Sequence, residues 1–336
     1  MGTEMASMNI TSGREVVVDA SNQISIRPYS ITPPGPGQVL IETTRTLISA
    51  GTELGTQEQE RSEDFTPGYS NAGHIIAVGE GVMDYHLGDR VLSLTSHASH
   101  VTSSTRPHEL QPIPDGISDE AATFGVLGSV AMHGVRKAKI EAGEHLLITG
   151  MGVVGQLVLR ICRHLGTETT VAADLVNERL EIAASGGATQ IVNPSETELA
   201  AIMGRVTNGR GVDVVVEASG YPDVLPPLFG ICRIGGRIML LGSIWHRKVE
   251  IDFMDLHEKE LSLVGCHQPK CPIHATPAFP WTQQYNRAQI LRMINDGRLD
   301  VSPLISHRLP YTEAQDAYRL LKEDLGKSLG VILEWT

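Results

Sequence analysis

The chain is poor in cysteine and in aromatic residues, and it lacks both clustered positive charge and any long apolar run. Its four cysteines, Cys162, Cys232, Cys266 and Cys271, are scattered and form none of the CxxC pairs that build zinc sites or redox motifs, so reduced thiols filling core space are expected. No stretch approaches the roughly 18 to 20 continuous apolar residues of a membrane span. The opening MGTEMASMNITSGREVVVDA lacks the basic-then-apolar order of a secretion signal, which makes a cytoplasmic protein without membrane contact the expectation. A formal net charge of -12 with no Lys/Arg run argues against a nucleic-acid partner, because phosphate contacts need clustered cations. The same surplus of carboxylates favours neutral or cationic small molecules, and it serves solubility equally well.

What is present is enough for real cores: 336 residues with 41% hydrophobic composition imply two globular domains. From about residue 14 to 115, short apolar segments (EVVVDA, QVLIETTRTLIS, HIIAVGEGV, RVLSL) alternate with Gly- and Pro-bearing turns such as PPGPG and LGDR, an all-β signature. From about 143 the pattern changes to alternating strands and helices: HLLITG, a helix from Gly152 to about Leu165, TTVAAD, a helix from about Asn177 to Ser185, QIVNP and DVVVEAS. Such alternation predicts an α/β fold with a doubly wound parallel sheet and right-handed crossovers. GGRIMLLGS and ELSLVG add two more strands, followed by a Pro- and aromatic-rich loop, helices near Tyr285–Asp296 and Thr312–Lys322, and a terminal strand GVILEW.

Gly150, Gly152 and Gly155 form GxGxxG between a predicted strand and a predicted helix, which Val153 and Val154 open. In that context the first glycine permits a tight turn, the second lets the backbone approach a pyrophosphate, and the third lets the helix pack on the strand. The helix N-terminus then offers N–H groups to the phosphates. Asp174 closes the next strand, where a carboxylate accepts the ribose hydroxyls of NAD and repels a 2′-phosphate, so NAD is the expected cofactor. Arg179 is a candidate for the adenine side, or an ordinary surface arginine. Ser219 and Gly220 after DVVVEA, and Gly242 and Ser243 after GGRIMLL, fall at the carboxyl edge of the sheet where a dinucleotide crosses it.

The order of parts, from QVLIETTRTLISAGTE through LITGMGVVGQ to PLISHRLPYTEAQDAYRLL, resembles the medium-chain dehydrogenase/reductase superfamily, the alcohol-dehydrogenase-like proteins, and within it a SAGTE-type branch. The resemblance implies a GroES-like distorted β-barrel catalytic domain built from both chain ends (1–127 and 268–336) around a central Rossmann domain (128–267). It also implies a homodimer joined at the Rossmann sheet edge, with GGRIMLLGS leading into the next strand as the candidate edge.

Zinc members of that family carry a cysteine, a histidine and a further ligand where this chain has Ala50, Tyr69 with Ser70, and GVLGS at 125–129. Alanine cannot ligate and a neutral tyrosine is a poor zinc ligand, so no metal is expected. Without a metal, the proton and the polarisation that a departing hydride demands must come from side chains. Tyr69 stands at a ligand position and either serves as the acid-base group or fills the vacated volume with its hydroxyl on Glu53. Thr52 matches the family's proton-relaying hydroxyl, and Glu53 an acidic residue behind the ligands. His97, in the turn before a strand that lines the substrate site in relatives, would exchange protons with solvent, or is a plain exposed turn histidine, as is His100. His74 and His133 read as structural. Trp245, His267, Lys270, Trp281 and Arg287, with Tyr285, belong to the segment that closes over the nicotinamide in relatives and form the candidate substrate wall, although domain packing uses the same residues.

Together these features predict a zinc-independent NAD-dependent dehydrogenase that interconverts a secondary alcohol and a ketone. A polyhydroxylated small-molecule substrate such as an amino sugar, aminocyclitol or aminoglycoside would place it in antibiotic biosynthesis. An ene or quinone reductase of the same superfamily is the alternative, disfavoured by Asp174 because those enzymes often use NADPH. A non-catalytic nucleotide-binding protein is the third.

Overall fold

A computed structural model describes residues 10–57, 62–242 and 248–336. Its first unit consists of the described residues up to Leu127 together with Pro272–Asp324 and Gly330–Thr336, and its second of Gly128–Cys271 with Leu325–Leu329.

The first unit begins with an antiparallel hairpin, β1 (Ser12–Val18) and β2 (Ile24–Ser30). Next come β3 (Gln38–Leu47), the short helix α1 (Ala50–Gln57), β4 (Asn71–Val78), β5 (Arg90–Ser93), β6 (His100–Ser104) and β7 (Leu110–Pro112). Helix α2 (Asp119–Ala138) follows and contains the boundary between the units. The expected all-β region is therefore interrupted by α1, whose sequence AGTELGTQ has no apolar periodicity. The helix starts because Ser49 precedes it and the Glu53 carboxylate reaches back to the Ser49 N–H at 2.7 Å, a closure of the kind that secures helix starts, with a negative group placed at the positive dipole end.

The second unit is a βα alternation: β8 (His145–Thr149), α3 (Val153–Cys162), β9 (Thr169–Ala173), α4 (Asn177–Ser185), β10 (Gln190–Val192), α5 (Leu199–Val206), β11 (Val212–Glu217), α6 (Leu225–Ile231), β12 (Cys232–Leu240), α7 (Met254–Glu258) and β13 (Ser262–Gly265). Its six strands run parallel in the order β10-β9-β8-β11-β12-β13, a doubly wound sheet. Every residue of β11 is buried, as expected of a strand covered on both faces by helices. Leu147, Val171, Val215, Phe229 and Ile238 anchor its core, each fully buried side chain contributing about 1.5–3 kcal/mol. The outermost strand is β13, and β12, which carries GGRIMLL, lies one strand inside it.

The chain then returns to the first unit with α8 (Gln283–Asn295), β14 (Ile305–Pro310), α9 (Ala314–Glu323) and β15 (Gly330–Glu334). Here β15 pairs antiparallel with β3, and β14 parallel with β15, so the C-terminus completes a seven-stranded sheet in the order β14-β15-β3-β4-β5-β7, with β6 on β3. Helix α9 buries Ala314, Ala317, Tyr318 and Leu321, one face at i, i+3, i+4 and i+7, among Val16, Ile48, Val331, Leu333 and Trp335.

All four cysteines are buried and free, and burial pushes their thiols up, Cys232 to about 12 and Cys266 to about 11, leaving them unreactive. Among the described residues, no helix is long and apolar enough to cross a membrane.

Candidate active site

In the second unit, the loop between β8 and α3 has the geometry that the glycine motif demands. Gly150 has φ +85°, and a Cβ there would lie 2.5 Å from the Ser219 nitrogen; at Gly155 it would lie 1.9 Å from the Gly150 oxygen. Side chains are thus sterically excluded at both positions. Nothing lies within 4 Å of a Cβ built on Gly152, so the backbone is open to a ligand at the N-terminus of α3, where Val153 and Val154 begin the helix. Asp174 follows β9 and points back at this loop: one carboxylate oxygen accepts the Met151 N–H and the other the Val176 N–H at 2.9 Å.

Two further loops close the same sheet edge. Glu217, the last residue of β11, is 0% exposed. Its carboxylate accepts the Ser219 N–H at 2.7 Å, the Gly220 N–H at 3.1 Å and the Ser219 hydroxyl, while burial holds its pKa above the usual carboxylate range against those bonds. The Leu241 and Gly242 N–H groups donate to the Glu217 carbonyl at 2.8 and 2.9 Å, which brings Ser219, Gly220 and Gly242 together beside Gly150. This cradle, closed to a Cβ at Gly150, Gly155 and Gly242 and open at Gly152, fits the pyrophosphate of a dinucleotide, with Asp174 placed for a ribose. Arg179 is half-buried on α4, and its guanidinium donates to the Ser328 carbonyl at 3.2 Å; burial lowers its pKa, against the pull of Asp174. It is neither an ordinary surface arginine nor free to swing, because it ties α4 to residues 325–329 of its own unit. Ser243 and Trp245 lie outside the described residues.

In the first unit, Tyr69, Thr52, Glu53 and His97 do converge. The Tyr69 hydroxyl donates to the Ser49 hydroxyl and lies 3.3 Å from the Thr52 hydroxyl. Burial raises the Tyr69 pKa most; the Ser49 and Thr52 hydrogen bonds oppose this and the nearby Glu53 charge adds to it, so the phenol stays protonated at ordinary pH. Thr52 is exposed, whereas Glu53 and His97 are buried behind it. Glu53 therefore does not hold Tyr69, as the space-filling alternative expects. One of its oxygens accepts the Ser49 N–H, and the other takes His97 Nε2 at 3.1 Å and the Tyr318 hydroxyl. A carboxylate taken out of water costs several kcal/mol. Hydrogen bonds to a charged group contribute about 1.5–3 kcal/mol each, so three donors offset much of that cost.

His97 is not the exposed turn histidine expected from the sequence, for it is 0% exposed. Its backbone is fixed by His97 N to Pro67 O at 2.8 Å and Val16 N to His97 O at 2.9 Å, and its ring fills the space beside Gly68, φ +100°, where a Cβ would come within 2.7 Å of the imidazole. Such burial keeps its ring from direct contact with solvent. Ser70 turns away from Tyr69 and donates to the Thr123 carbonyl, which makes it a tie to α2. Ser49 and Tyr318 were not singled out from the sequence. The signal for Tyr318 was a hydroxyl on the otherwise apolar face of α9.

The remaining candidates do not join this cluster. His267 and Lys270 are exposed residues of the second unit, just after β13. Trp281 packs against Tyr285 at 5.5 Å between ring centroids, both partly exposed at the start of α8. Arg287 is 0% exposed and gives both terminal nitrogens to the His108 carbonyl at 3.2 Å, while burial lowers its pKa to about 10. It is a packing residue of the first unit, and the sequence-based assignment to a substrate wall is corrected accordingly.

Ala50, Tyr69 and Ser70, which the resemblance drawn from the sequence sets at the ligand positions of a zinc site, include no thiolate, imidazole or carboxylate, and among the described residues no three His, Cys, Asp or Glu side chains converge to hold a metal ion. The donor set does not fit zinc.

A family model described as zinc-binding dehydrogenase matches residues 153–281, a stretch that excludes Ala50 and Tyr69. L-threonine 3-dehydrogenase of Pectobacterium atrosepticum is 31% identical over 301 residues, covering 80% of this chain and 77% of that enzyme. Among solved structures, 2R,3R-butanediol dehydrogenase from Bacillus subtilis superposes with a TM-score of 0.80 at 22% identity, covering 96% of this chain and 99% of that one. Galactitol-1-phosphate dehydrogenase from Escherichia coli does so with a TM-score of 0.81 at 21% identity, over 96% and 99%. With a doubly wound unit, a strand-rich unit assembled from both ends of the chain, and this similarity to a curated dehydrogenase, the chain belongs to the medium-chain dehydrogenase/reductase superfamily.

Proposed function

We propose that the protein is a zinc-independent, NAD-dependent dehydrogenase that oxidises a secondary alcohol to a ketone, or runs the reverse, with Tyr69 and Thr52 handling the proton. The observation that carries this reading is the Tyr69 hydroxyl at 3.3 Å from exposed Thr52, standing where zinc relatives place a ligand. The unit holding that pair acts as the catalytic domain and the unit holding the glycine cradle as the nucleotide domain.

Oxidation of a carbinol removes a hydride, which bound NAD accepts, and a proton from oxygen, which the protein must take. The Tyr69 hydroxyl is neutral, so it moves a proton by exchange: its oxygen receives one from the substrate as its own hydrogen turns to the Thr52 hydroxyl, which takes it while releasing its own. Thr52, being exposed, hands the proton to water. Glu53 and His97 act from behind, fixing Ser49 and α1, and neither touches substrate.

Asp174 supports NAD over NADP, since a fixed carboxylate repels a 2′-phosphate. The name of the threonine dehydrogenase relative supports an alcohol beside an amino group, because threonine carries one, and the acidic chain favours a cationic substrate. An amino sugar, aminocyclitol or aminoglycoside meets both conditions. A homodimer is part of the proposal: among the described residues β13 pairs only with β12, and its Leu263 is 37% exposed at the sheet edge.

The test is metal analysis of the purified protein combined with NAD reduction across amino sugars, aminoglycosides, L-threonine and simple polyols. Turnover by metal-free protein is the expected result. Stoichiometric zinc overturns the proton assignment, and metal-free protein that is inert on every alcohol but reduces enones with NADH makes it an ene reductase.

A further inference from the structure

We propose that Tyr318, on the C-terminal helix α9, is a positioning residue for the reaction, acting through Glu53 and Ser49 on the Tyr69 hydroxyl. The proposal rests on the reading of Tyr69 given above.

Tyr318 is 2% exposed and cannot touch a substrate. It lies on a face whose other buried members are Ala314, Ala317 and Leu321, packed among Ile48, Leu333 and Trp335, an environment that phenylalanine would fill equally well. The hydroxyl therefore has a purpose apart from packing, and its partner is the Glu53 carboxylate. Burial and the Glu53 charge both push the Tyr318 pKa well above its ordinary value, so this hydroxyl is always a donor.

Glu53 divides its bonds unequally. Among the described residues, one oxygen serves the Ser49 N–H alone, at 2.7 Å, and the other is shared by Tyr318 and His97 Nε2. With the carboxylate as acceptor, His97 Nε2 is the donor of their hydrogen bond. Its Nδ1 is buried without a partner among the described residues and gives the ring no second anchor. Tyr318 is thus the donor that keeps the carboxylate from turning toward His97 and away from Ser49. Ser49 in turn receives the Tyr69 hydrogen bond, so the line runs Tyr318, Glu53, Ser49, Tyr69, from α9 through the start of α1 to the loop before β4. None of these contacts involves a metal ligand or the nucleotide cradle, which separates the expected effect of breaking the line from any effect on cofactor binding.

The experiment is a double-mutant cycle on the alcohol that the wild type turns over fastest in the panel above, with Tyr318→Phe, Tyr69→Phe and both together, each followed by kcat, KM for NAD and a thermal melt. Tyr318→Phe is expected to lower kcat about tenfold, the effect of losing one hydrogen bond to a charged group. KM for NAD should stay close to wild type, while the melting temperature should fall by a few degrees, because the buried Glu53 carboxylate loses one of its donors. In the Tyr69→Phe background the same change should cost less than about twofold, because its route of action is gone. Glu53→Gln, which keeps the volume, should show the same dependence on Tyr69. An unchanged kcat in Tyr318→Phe overturns the proposal, and so do losses that multiply in the double variant. Full turnover by Tyr69→Phe alone refutes the reading of Tyr69 itself, an outcome distinct from either of those.

Discussion

In the nucleotide cradle the groups that a dinucleotide would meet are mostly backbone atoms, set by the glycines of the β8–α3 turn and of two neighbouring loops. In the hydroxyl cluster they are the side chains of residues 52 and 69, backed by those of residues 49, 53, 97 and 318, which would not touch a ligand. The first is built by excluding side chains and the second by interlocking them. A backbone site therefore fails when an atom is added, and a side-chain network when one is removed.

The largest expected effect follows from adding an atom. Gly155→Ala would place a Cβ 1.9 Å from the Gly150 carbonyl oxygen, a backbone atom with no flexible side chain to yield. The loop must open, and NADH affinity, followed by fluorescence titration, should fall about 100-fold or more if shifting the loop costs roughly 3 kcal/mol. Wild-type affinity in this variant would mean that the cradle tolerates bulk and that the contrast between the two sites is wrong.

Removing an atom from the other site should act on turnover instead. Tyr69→Phe deletes one oxygen, and kcat is expected to drop about 100-fold, the scale of a lost acid-base group, with NADH affinity unchanged. Near-wild-type turnover would reduce Tyr69 to a space-filling ring, while a parallel loss of NADH binding would show that the two sites are less separate than their construction implies.

This division also explains what could be read from the sequence. GxGxxG and Asp174 were legible because their geometry is local: steric limits on φ at Gly150 and on packing at Gly155 leave few other residues that would serve. The parallel sheet was legible for a similar reason, since a fully buried strand such as β11 reads as a mostly apolar run, here Val212, Val214, Val215 and Val216, with carboxylates only at Asp213 and Glu217. Tyr69, Thr52 and Glu53 were found through the family's ligand positions, but their partners were not. The Glu53–Tyr318 bond joins residues 265 positions apart, and no spacing rule reports such a contact. Helix α1 was missed because its start is secured by Glu53 and not by an apolar stripe. Burial misled in the other direction at His97 and Arg287, polar residues in polar-looking segments that the fold encloses completely.

A smaller effect tests the cofactor half of the comparison. Asp174→Ala should weaken NAD about tenfold, the loss of one to two hydrogen bonds, and weaken NADP less. Because the Asp174 carboxylate also accepts the Met151 N–H, some of the loss should come from the cradle relaxing. Equal losses for both cofactors would assign Asp174 to holding the loop and withdraw the argument for NAD.

The smallest effect contrasts two buried histidines. His97 faces a carboxylate, whereas His133 on α2 is buried near Arg136, Lys137 and His267, and burial first, with those cations, lowers its pKa to about 4. The unfolded chain binds a proton at His133 near pH 6.5 and the folded chain does not until about pH 4, so between those values the unfolded state holds more protons. Stability contributed at this residue is accordingly intact above pH 6.5 and falls as the pH drops toward 4. Between pH 7 and 5.5 the fall should be about 1 kcal/mol by proton linkage. His133→Gln keeps a polar side chain without the titration, and denaturant unfolding at the two pH values should show its acid sensitivity reduced by that amount relative to wild type. If the variant loses stability in acid as steeply as the wild type does, His133 carries a proton in the folded state, and its basic neighbours must be compensated by a carboxylate that faces them.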